Sequence, residues 1–181
     1  MDALDCIISR RSIRQFTAEA VSEETLESVV AAASYAPSWK NTQTARYIAV
    51  TDPEVKAEIA GDCVLGFPGN TRSINVAPML IVLTTVNGRS GYERDGSFST
   101  QKQRHWESFD AGIAAEAFCL AAHAHGLGTV IMGIFDPYKV ASAAHVPNGQ
   151  SVSALIAVGH PATDPRAPKR KTVDELLTYR R

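Results

Sequence analysis

The segment from Met79 to Val86, with the sequence MLIVLTTV, constrains the fold of this 181-residue chain more than any other. It is apolar and rich in β-branched residues, which is the pattern of a buried strand. The longest apolar stretch, Val76 to Leu83, contains Pro78 and is far shorter than the roughly 20 residues that a membrane-spanning helix needs. We therefore expect a deeply buried strand and no membrane span.

Helical and strand patterns alternate along the rest of the chain, which predicts a mixed α+β layered domain. Helices are expected over residues 2–9, Ser22 to Ala36 and 105–125, with shorter ones beginning at Asp52, Asp136 and Thr172. Strands are expected at Tyr47 to Thr51, Met79 to Val86, Thr129 to Ile134 and Val152 to Val158. Residues 66–75 predict a loop, and the polar, glycine-rich stretch Asn87 to Gln101 predicts a mobile excursion. No linker or composition shift divides the chain, so residues 1–181 are expected to form one domain.

Composition and charge exclude several functional classes. Hydrophobic residues make up 45% of the chain and charged residues 20%, which excludes a disordered protein. The net charge is −1 and no basic stripe carries interleaved aromatic residues, so we expect no nucleic-acid partner. Three widely spaced cysteines and a start without a basic and apolar leader favour the cytoplasm. His123 and His125 would lie on different faces of a helix, so no metal site is expected.

Two basic clusters are candidates for binding a phosphate. The first is Arg10-Arg11-Ser12-Ile13-Arg14, just past a predicted helix. Its three arginines and one hydroxyl can hold a phosphate through charge-assisted hydrogen bonds. The second is Lys169-Arg170-Lys171, near the end of the chain. Taken alone, the first cluster is explained equally well as a solvated basic turn, and the second is typical of a surface tail.

Two further segments have the composition of a surface for a flat heteroaromatic ring. Residues 36–43 combine small, amide and aromatic side chains after a helix end, and amides both donate and accept hydrogen bonds. Glycines in Gly126-Leu127-Gly128 and Met132-Gly133-Ile134 let the backbone approach a ligand closely. Taken alone, these segments are typical of a helix-terminating loop and a tight turn. The chain has no Rossmann Gly-x-Gly-x-x-Gly motif, Walker motif or serine nucleophile motif.

Four motifs, in this order, resemble the FMN-dependent nitroreductase family. They are Arg-Arg-Ser-Ile-Arg-Gln-Phe at 10–16, Pro-Ser-x-x-Asn-x-Gln at 37–43, the Gly-Leu-Gly turn before a strand that ends in Met-Gly-Ile, and Gly159-His160-Pro161 before Lys169-Arg170. The resemblance spans nearly the whole chain. It implies an α+β fold in which a central mixed or antiparallel sheet is flanked by helices. It also implies an intertwined homodimer with two FMN molecules at the subunit interface.

The resemblance also implies which residues contact the phosphate and the pyrimidine edge of FMN. The phosphate would be held by Arg10, Ser12 and Arg170, with help from Lys169, and Arg11 lies in the same basic segment. Arg14 would lie by the pyrimidine edge of the ring and is the candidate catalytic residue. A cation at that edge favours reduction of the flavin, because reduction places negative charge there.

Other residues would surround the flavin ring. In the family pattern, Pro37, Ser38 and Trp39 would reach across from the partner subunit. Asn41 and Asn70 match two amides near the flavin. The backbone of Met132, Gly133 and Ile134 would face the reactive N5 edge.

The activity implied by the resemblance is that of an FMN-dependent NAD(P)H oxidoreductase with a ping-pong mechanism. NADH or NADPH would supply a hydride through flavin N5 to a nitroaromatic compound, a quinone or a similar acceptor. Two alternatives stay open. One is a specialised family reaction such as reductive dehalogenation or flavin fragmentation, and the other is a non-catalytic flavin-binding or storage protein.

The chain departs from the family pattern at three places. Thr44-Ala45-Arg46 stands where the family continues with proline and an aromatic residue, and Ser73 stands in place of a basic residue. The segment that roofs the active site in longer members is reduced to about residues 87–105. Its Tyr92 and Phe98, with His105 and Trp106, are candidates to line the acceptor pocket. Trp106 is explained equally well as the first core residue of the long helix.

Overall fold

The computed structural model describes residues 2–181, in which seven α-helices surround one four-stranded antiparallel sheet. The strands are β1 (Ala45–Val50), β2 (Met79–Val86), β3 (Gly128–Met132) and β4 (Gln150–Gly159), and their order across the sheet is β1-β2-β4-β3. The helices are α1 (Ala3–Ser9), α2 (Glu23–Ala33), α3 (Pro53–Glu58), α4 (Pro68–Val76), α5 (His105–Ala124), α6 (Pro137–Ala143) and α7 (Val173–Leu176). The predicted α+β class is confirmed.

Helices cover both faces of the sheet, which explains why the central strand β2 is apolar on both of its faces. Leu80 and Val82 pack in one core, together with Ile74 of α4 and residues of α6. Ile81 and Leu83 pack in a second core against α2 and α5. All four β2 side chains are fully buried. No helix within residues 2–181 is long and apolar enough to cross a membrane.

Short polar side chains begin several helices where the sequence predicts them. Asp2, Ser22, Asp52 and Asp136 each accept hydrogen bonds from backbone N–H groups of the first helical turn. Thr172 and Glu175 form the predicted capping box of α7. The element ends differ by a few residues from the predicted ones: α2 stops at Ala33 and β1 begins at Ala45.

The loop predicted over residues 66–75 is wrong, because most of it forms α4. Pro68 stands at the start of this helix, where its missing N–H costs nothing. Ile74 is fully buried, and the Ser73 hydroxyl donates to the Gly69 carbonyl at 2.9 Å. Packing of one apolar residue against the core therefore overrides the low helix propensity of glycine, asparagine and serine.

The strand predicted at Thr129 to Ile134 is shorter than expected. Its pairing with β4 ends at Met132, opposite Leu155, and Gly133 and Ile134 lie beyond the sheet. The Ile134 carbonyl instead accepts a hydrogen bond from the Asn70 side-chain amide at 2.9 Å. On the outer side of β3, Ser12 forms a parallel bridge with Thr129, which brings the first basic cluster to the sheet edge.

Candidate functional site

A basic cavity of about 300 Å³ lies where the segment after α1 meets the chain that follows β4. Its lining residues are Arg10, Arg11, Ser12, Arg14, Pro165, Arg166, Pro168 and Arg170. The structure thus brings together the two basic clusters of the sequence, which lie about 160 positions apart. Five arginines and no carboxylate line this cavity, so its field favours an anion.

Backbone carbonyls orient two of the five guanidinium groups in the basic cavity. Arg11 Nη1 donates to the carbonyls of Ile8 and Arg10 at 2.6 and 2.8 Å, and Arg14 Nη1 donates to the Ser12 carbonyl at 3.3 Å. Arg10 Nε is buried without a hydrogen-bond partner and lies 3.4 Å from Glu116 Oε1. The arginines therefore keep N–H groups for a phosphate, whose oxygens accept such bonds from several arginines at once.

A second group of candidate residues meets at the end of β3. Asn70 is buried at the first turns of α4, and its Nδ2 donates to the Ile134 carbonyl. The backbone N–H groups of Gly133 and Ile134 make no hydrogen bond within the described chain 2–181. A Cβ placed on Gly133 would have no heavy atom within 4 Å, so this backbone faces open space. Met132, by contrast, is buried beneath it.

The loop from Pro37 to Gln43 is held in a strained conformation. Lys40, Asn41 and Gln43 have φ angles of 45°, 55° and 48°, a region that non-glycine residues seldom adopt. The Trp39 backbone N–H donates to Asp110 Oδ2 at 2.9 Å, and the Gln43 N–H donates to Ser38 Oγ at 2.9 Å. Such strain persists only where other contacts enforce it, and it is common at ligand sites.

The segment 87–104, here called the roof segment, is fastened to α5 rather than loose. The Ser90 hydroxyl is fully buried and donates to Asp110 Oδ2 at 2.6 Å, the same oxygen that Trp39 contacts. The Trp106 ring packs against Trp39 with centroids 4.7 Å apart, and Trp106 Nε1 donates to Thr100. Asp110 was missed by the sequence reasoning, since one carboxylate in an alanine-rich helix carries no motif.

The structure does not bring all of the predicted site residues together in one chain. No hydrogen bond or ion pair within residues 2–181 joins the loop of Pro37, Ser38, Trp39 and Asn41 to the basic cavity or to Asn70. Lys169 is exposed and does not line the basic cavity, whereas Arg166, which no motif singled out, does.

His123, near the end of α5, contacts α1. His123 Nε2 lies 2.8 Å from Ser9 Oγ. Burial, followed by the nearby charges of Arg10 and Arg11, lowers the pKa of His123 below its usual value. Within residues 2–181, no three histidine, cysteine, aspartate or glutamate side chains lie close enough together to hold a metal ion.

Comparison with known proteins agrees with the four motifs and the fold. The model of the nitroreductase family matches residues 7–160, which is most of the chain. The chain belongs to the nitroreductase family. The matched residues include the Arg10 to Arg14 cluster, the Pro37 to Gln43 loop and both ends of β3, but not the tail that contributes Arg170.

Relatives within the family carry the names of flavin and pyridine-nucleotide enzymes. A Thermus thermophilus protein named NADH dehydrogenase is 26% identical over 203 aligned residues, which cover 99% of this chain and 97% of its own. A Bacillus subtilis protein named FMN reductase [NAD(P)H] is 28% identical over 187 aligned residues. The alignment covers 98% of this chain and 73% of that protein. A solved nitroreductase family protein from Streptococcus pneumoniae superimposes with a TM-score of 0.85, with 99% of this chain and 100% of that chain covered, at 23% identity.

Proposed function

We propose that this protein is an FMN-dependent NAD(P)H oxidoreductase that passes electrons to a quinone, a nitroaromatic compound or a similar acceptor. The observation that carries the proposal is the basic cavity of Arg10, Arg11, Ser12, Arg14 and Arg170 in a chain of the nitroreductase family. The names of the Bacillus subtilis and Thermus thermophilus relatives support both FMN and NAD(P)H. FMN, when bound, accepts a hydride from NAD(P)H and returns two electrons to the acceptor.

The basic cavity fits the phosphate of FMN better than that of a dinucleotide. A terminal phosphate monoester carries up to two negative charges, and five arginines with no carboxylate line the cavity. Arg10 Nε lies 3.4 Å from Glu116 Oε1, and the Nη groups of Arg10 make no hydrogen bond within residues 2–181, so they can donate to a phosphate. The chain has no dinucleotide-binding glycine motif to hold an adenosine.

The end of β3 fits the polar edge of the flavin ring. Gly133 and Ile134 present unpaired backbone N–H groups, and Asn70 holds this backbone in place through the Ile134 carbonyl. Donors of this kind can bind a ring nitrogen without a side chain between them. Arg14, which lines the basic cavity, would stabilise negative charge at the pyrimidine edge of the flavin and so act as the catalytic residue.

We infer further that the protein works as a homodimer with FMN at the subunit interface. A single chain leaves the loop of Pro37, Ser38, Trp39 and Asn41 without a bond to the other candidate residues. Apolar side chains stay exposed on α1 (Leu4 and Ile8) and on α5 (Phe109). A groove of about 650 Å³ along α5 is lined almost entirely by apolar groups. A second copy of the chain buries these surfaces and supplies the loop to the partner's flavin.

The cysteines support an intracellular, reducing location. Cys6, Cys63 and Cys119 are buried and free in the structure, so the fold does not depend on a disulfide. We place the enzyme in the cytoplasm on this ground.

The proposed function is tested on purified protein. Ligand released by heat should chromatograph as FMN, and anaerobic addition of NADH or NADPH should bleach its visible absorbance. A quinone or nitroaromatic acceptor should then restore the absorbance. Recovery of FAD, or of no flavin after reconstitution, contradicts the proposal. Bound FMN that no acceptor reoxidises after bleaching, or that no NAD(P)H reduces, supports a storage protein instead.

A further inference from the structure

A second cavity that carries positive charge lies between the Pro37–Gln43 loop and the roof segment. Its volume is about 410 Å³, and it is separate from the basic cavity that fits the FMN phosphate. It is lined by Lys40, Thr42, Gly88, Arg89, Tyr92, Glu93, Arg94 and Gly96. Neither Arg89 nor Arg94 belongs to any motif used above, and we call this space the roof cavity.

The charges of the roof cavity do not cancel. Lys40 Nζ lies 2.9 and 3.1 Å from the two carboxylate oxygens of Glu93, so these two groups neutralise each other. Arg89 and Arg94 make no ion pair or hydrogen bond through their side chains in the described residues 2–181. Two uncompensated guanidinium groups therefore face a cavity of substrate size.

The backbone that carries these two arginines is fixed in place. Ser90, next to Arg89, is locked to Asp110, and Gly91 lies so close to Trp106 that an added Cβ would meet its ring at 2.9 Å. The Tyr92 and Phe98 rings pack 4.9 Å apart across a small hairpin. A fixed backbone lowers the conformational entropy that this segment loses when its arginines bind a ligand.

The roof cavity also borders the Pro37–Gln43 loop, which is proposed to reach the flavin ring of the partner subunit. Lys40 and Thr42 belong to this loop, together with Ser38 and Asn41. Thr42 Oγ1 is buried there without a hydrogen-bond partner. A molecule whose reacting end lies on the ring can therefore extend an anionic end to the arginines.

We propose that Arg89 and Arg94 bind an anionic group, a phosphate or a carboxylate, of the molecule that exchanges electrons with the flavin. The proposal rests on the proposed oxidoreductase function. Two sources share this chemistry: the phosphates of NAD(P)H and a carboxylate on the acceptor. The arginines determine specificity among substrates and take no part in the electron transfer itself.

The test compares substrates that differ in charge but have the same reacting group. The variant Arg89→Ala/Arg94→Ala is measured with NADPH and NADH against N-benzyl-1,4-dihydronicotinamide, a neutral donor. It is also measured with 4-nitrobenzoate against nitrobenzene as acceptors. We expect the ratio of kcat/KM for the charged over the neutral substrate to fall about tenfold or more in one of these two arms. The arm that responds identifies the source of the anion.

A matched control removes the same charge elsewhere. The variant Arg180→Ala/Arg181→Ala loses two exposed arginines at the end of the chain and should keep both ratios. The charge-reversed variant Arg89→Glu/Arg94→Glu should lower the responding ratio further, and FMN content and circular dichroism should match wild type for each variant. Calorimetric titration with inorganic pyrophosphate and with benzoate measures anion affinity without turnover. The affinity for one of these anions should fall in the Arg89→Ala/Arg94→Ala variant and stay unchanged in the control.

The outcomes separate this proposal from the proposed function. The proposal for the roof cavity is overturned if the alanine and glutamate variants of Arg89 and Arg94 turn over the neutral substrates and keep the wild-type kcat/KM ratios in both arms. The oxidoreductase function would still stand in that case. An equal loss for charged and neutral substrates also overturns it, because the arginines would then be structural. Wild-type protein that holds FMN but turns over no substrate pair, neutral or charged, contradicts the proposed function instead.

Discussion

Arg10 and Arg14 lie four positions apart in the same cavity, and we expect them to affect different properties of the flavin. Arg10→Ala removes a charge-assisted contact to the phosphate, worth roughly 1.5–3 kcal/mol, so FMN affinity should fall about ten- to a hundredfold. Arg14→Gln removes a cation from the ring edge, where negative charge grows on reduction. Because about 30 mV corresponds to roughly 1.4 kcal/mol for two electrons, the potential should fall by tens of millivolts.

A dye-coupled redox titration and a fluorescence titration of apoprotein with FMN measure these two properties. The conservative variant Arg14→Lys keeps the charge and should restore most of the potential. If Arg14→Gln loses FMN as strongly as Arg10→Ala and leaves the potential unchanged, Arg14 is a further phosphate ligand and its catalytic assignment is wrong.

His123 should report occupation of the basic cavity. Its pKa is lowered below 6.5 first by burial and then by Arg10 and Arg11. An FMN phosphate on these arginines offsets their charge, so the pKa of His123 should rise on binding. Without FMN, its lowered pKa makes the unfolded state bind the extra proton, so this residue costs stability as the pH falls below 6.5. NMR titration of the imidazole with and without FMN checks the shift, and His145, which is exposed in the turn after α6, serves as the control.

At the scale of elements, the carboxylate of Asp110 joins α5, the Pro37–Gln43 loop and the roof segment. Asp110→Ala leaves the Trp39 N–H and the buried Ser90 hydroxyl without an acceptor. We expect it to lower the free energy of unfolding by about 2–4 kcal/mol and to release the strained loop. Asp110→Asn keeps one acceptor oxygen and should lose less.

Urea unfolding of Asp110→Ala, Ser90→Ala and the double variant measures the coupling between the two contacts. The exposed Asp174→Asn change is the control and should leave stability within about 0.5 kcal/mol of wild type. An Asp110→Ala protein as stable as wild type, with additive effects of the two changes, would show that this contact does not hold the elements together.

At the scale of the molecule, dimerisation and flavin binding should be lost together. Phe109 is 50% exposed on α5 and lines the apolar groove along this helix. Phe109→Glu places a charge in the proposed interface, so sedimentation should shift from about twice 19.5 kDa toward the mass of one chain. FMN affinity should fall with it, because the partner supplies the Pro37–Gln43 loop.

Tyr138→Glu is the matched control, since this side chain is 86% exposed on α6, outside the α5 groove. It should sediment as a dimer and keep its FMN. Wild-type protein that sediments as a monomer and still holds FMN contradicts both the interface and the role of the loop.

Much of the fold follows from local patterns in the sequence. The apolar run of β2, the capping residues Ser22, Asp52 and Asp136, and the period of α5 each predicted an element that the structure contains. The family was predictable as well, because its four motifs stand in order along the chain and the family model matches residues 7–160. Each of these signals depends on residues that are close together in the sequence, so the amino-acid sequence alone is sufficient to predict the corresponding element.

Contacts between distant residues were decided only by the tertiary structure. Pro68–Val76 forms a helix because Ile74 packs into the core, although the composition of residues 66–75 favours a loop. Asn70 reaches Ile134 across 64 positions, and Trp39 reaches Asp110 across 71. A hydrogen bond over such a separation depends on how the sheet and helices pack, and no periodicity or spacing encodes it. For the same reason, the uncompensated charges of Arg89 and Arg94 become visible only when Lys40 is seen to pair with Glu93.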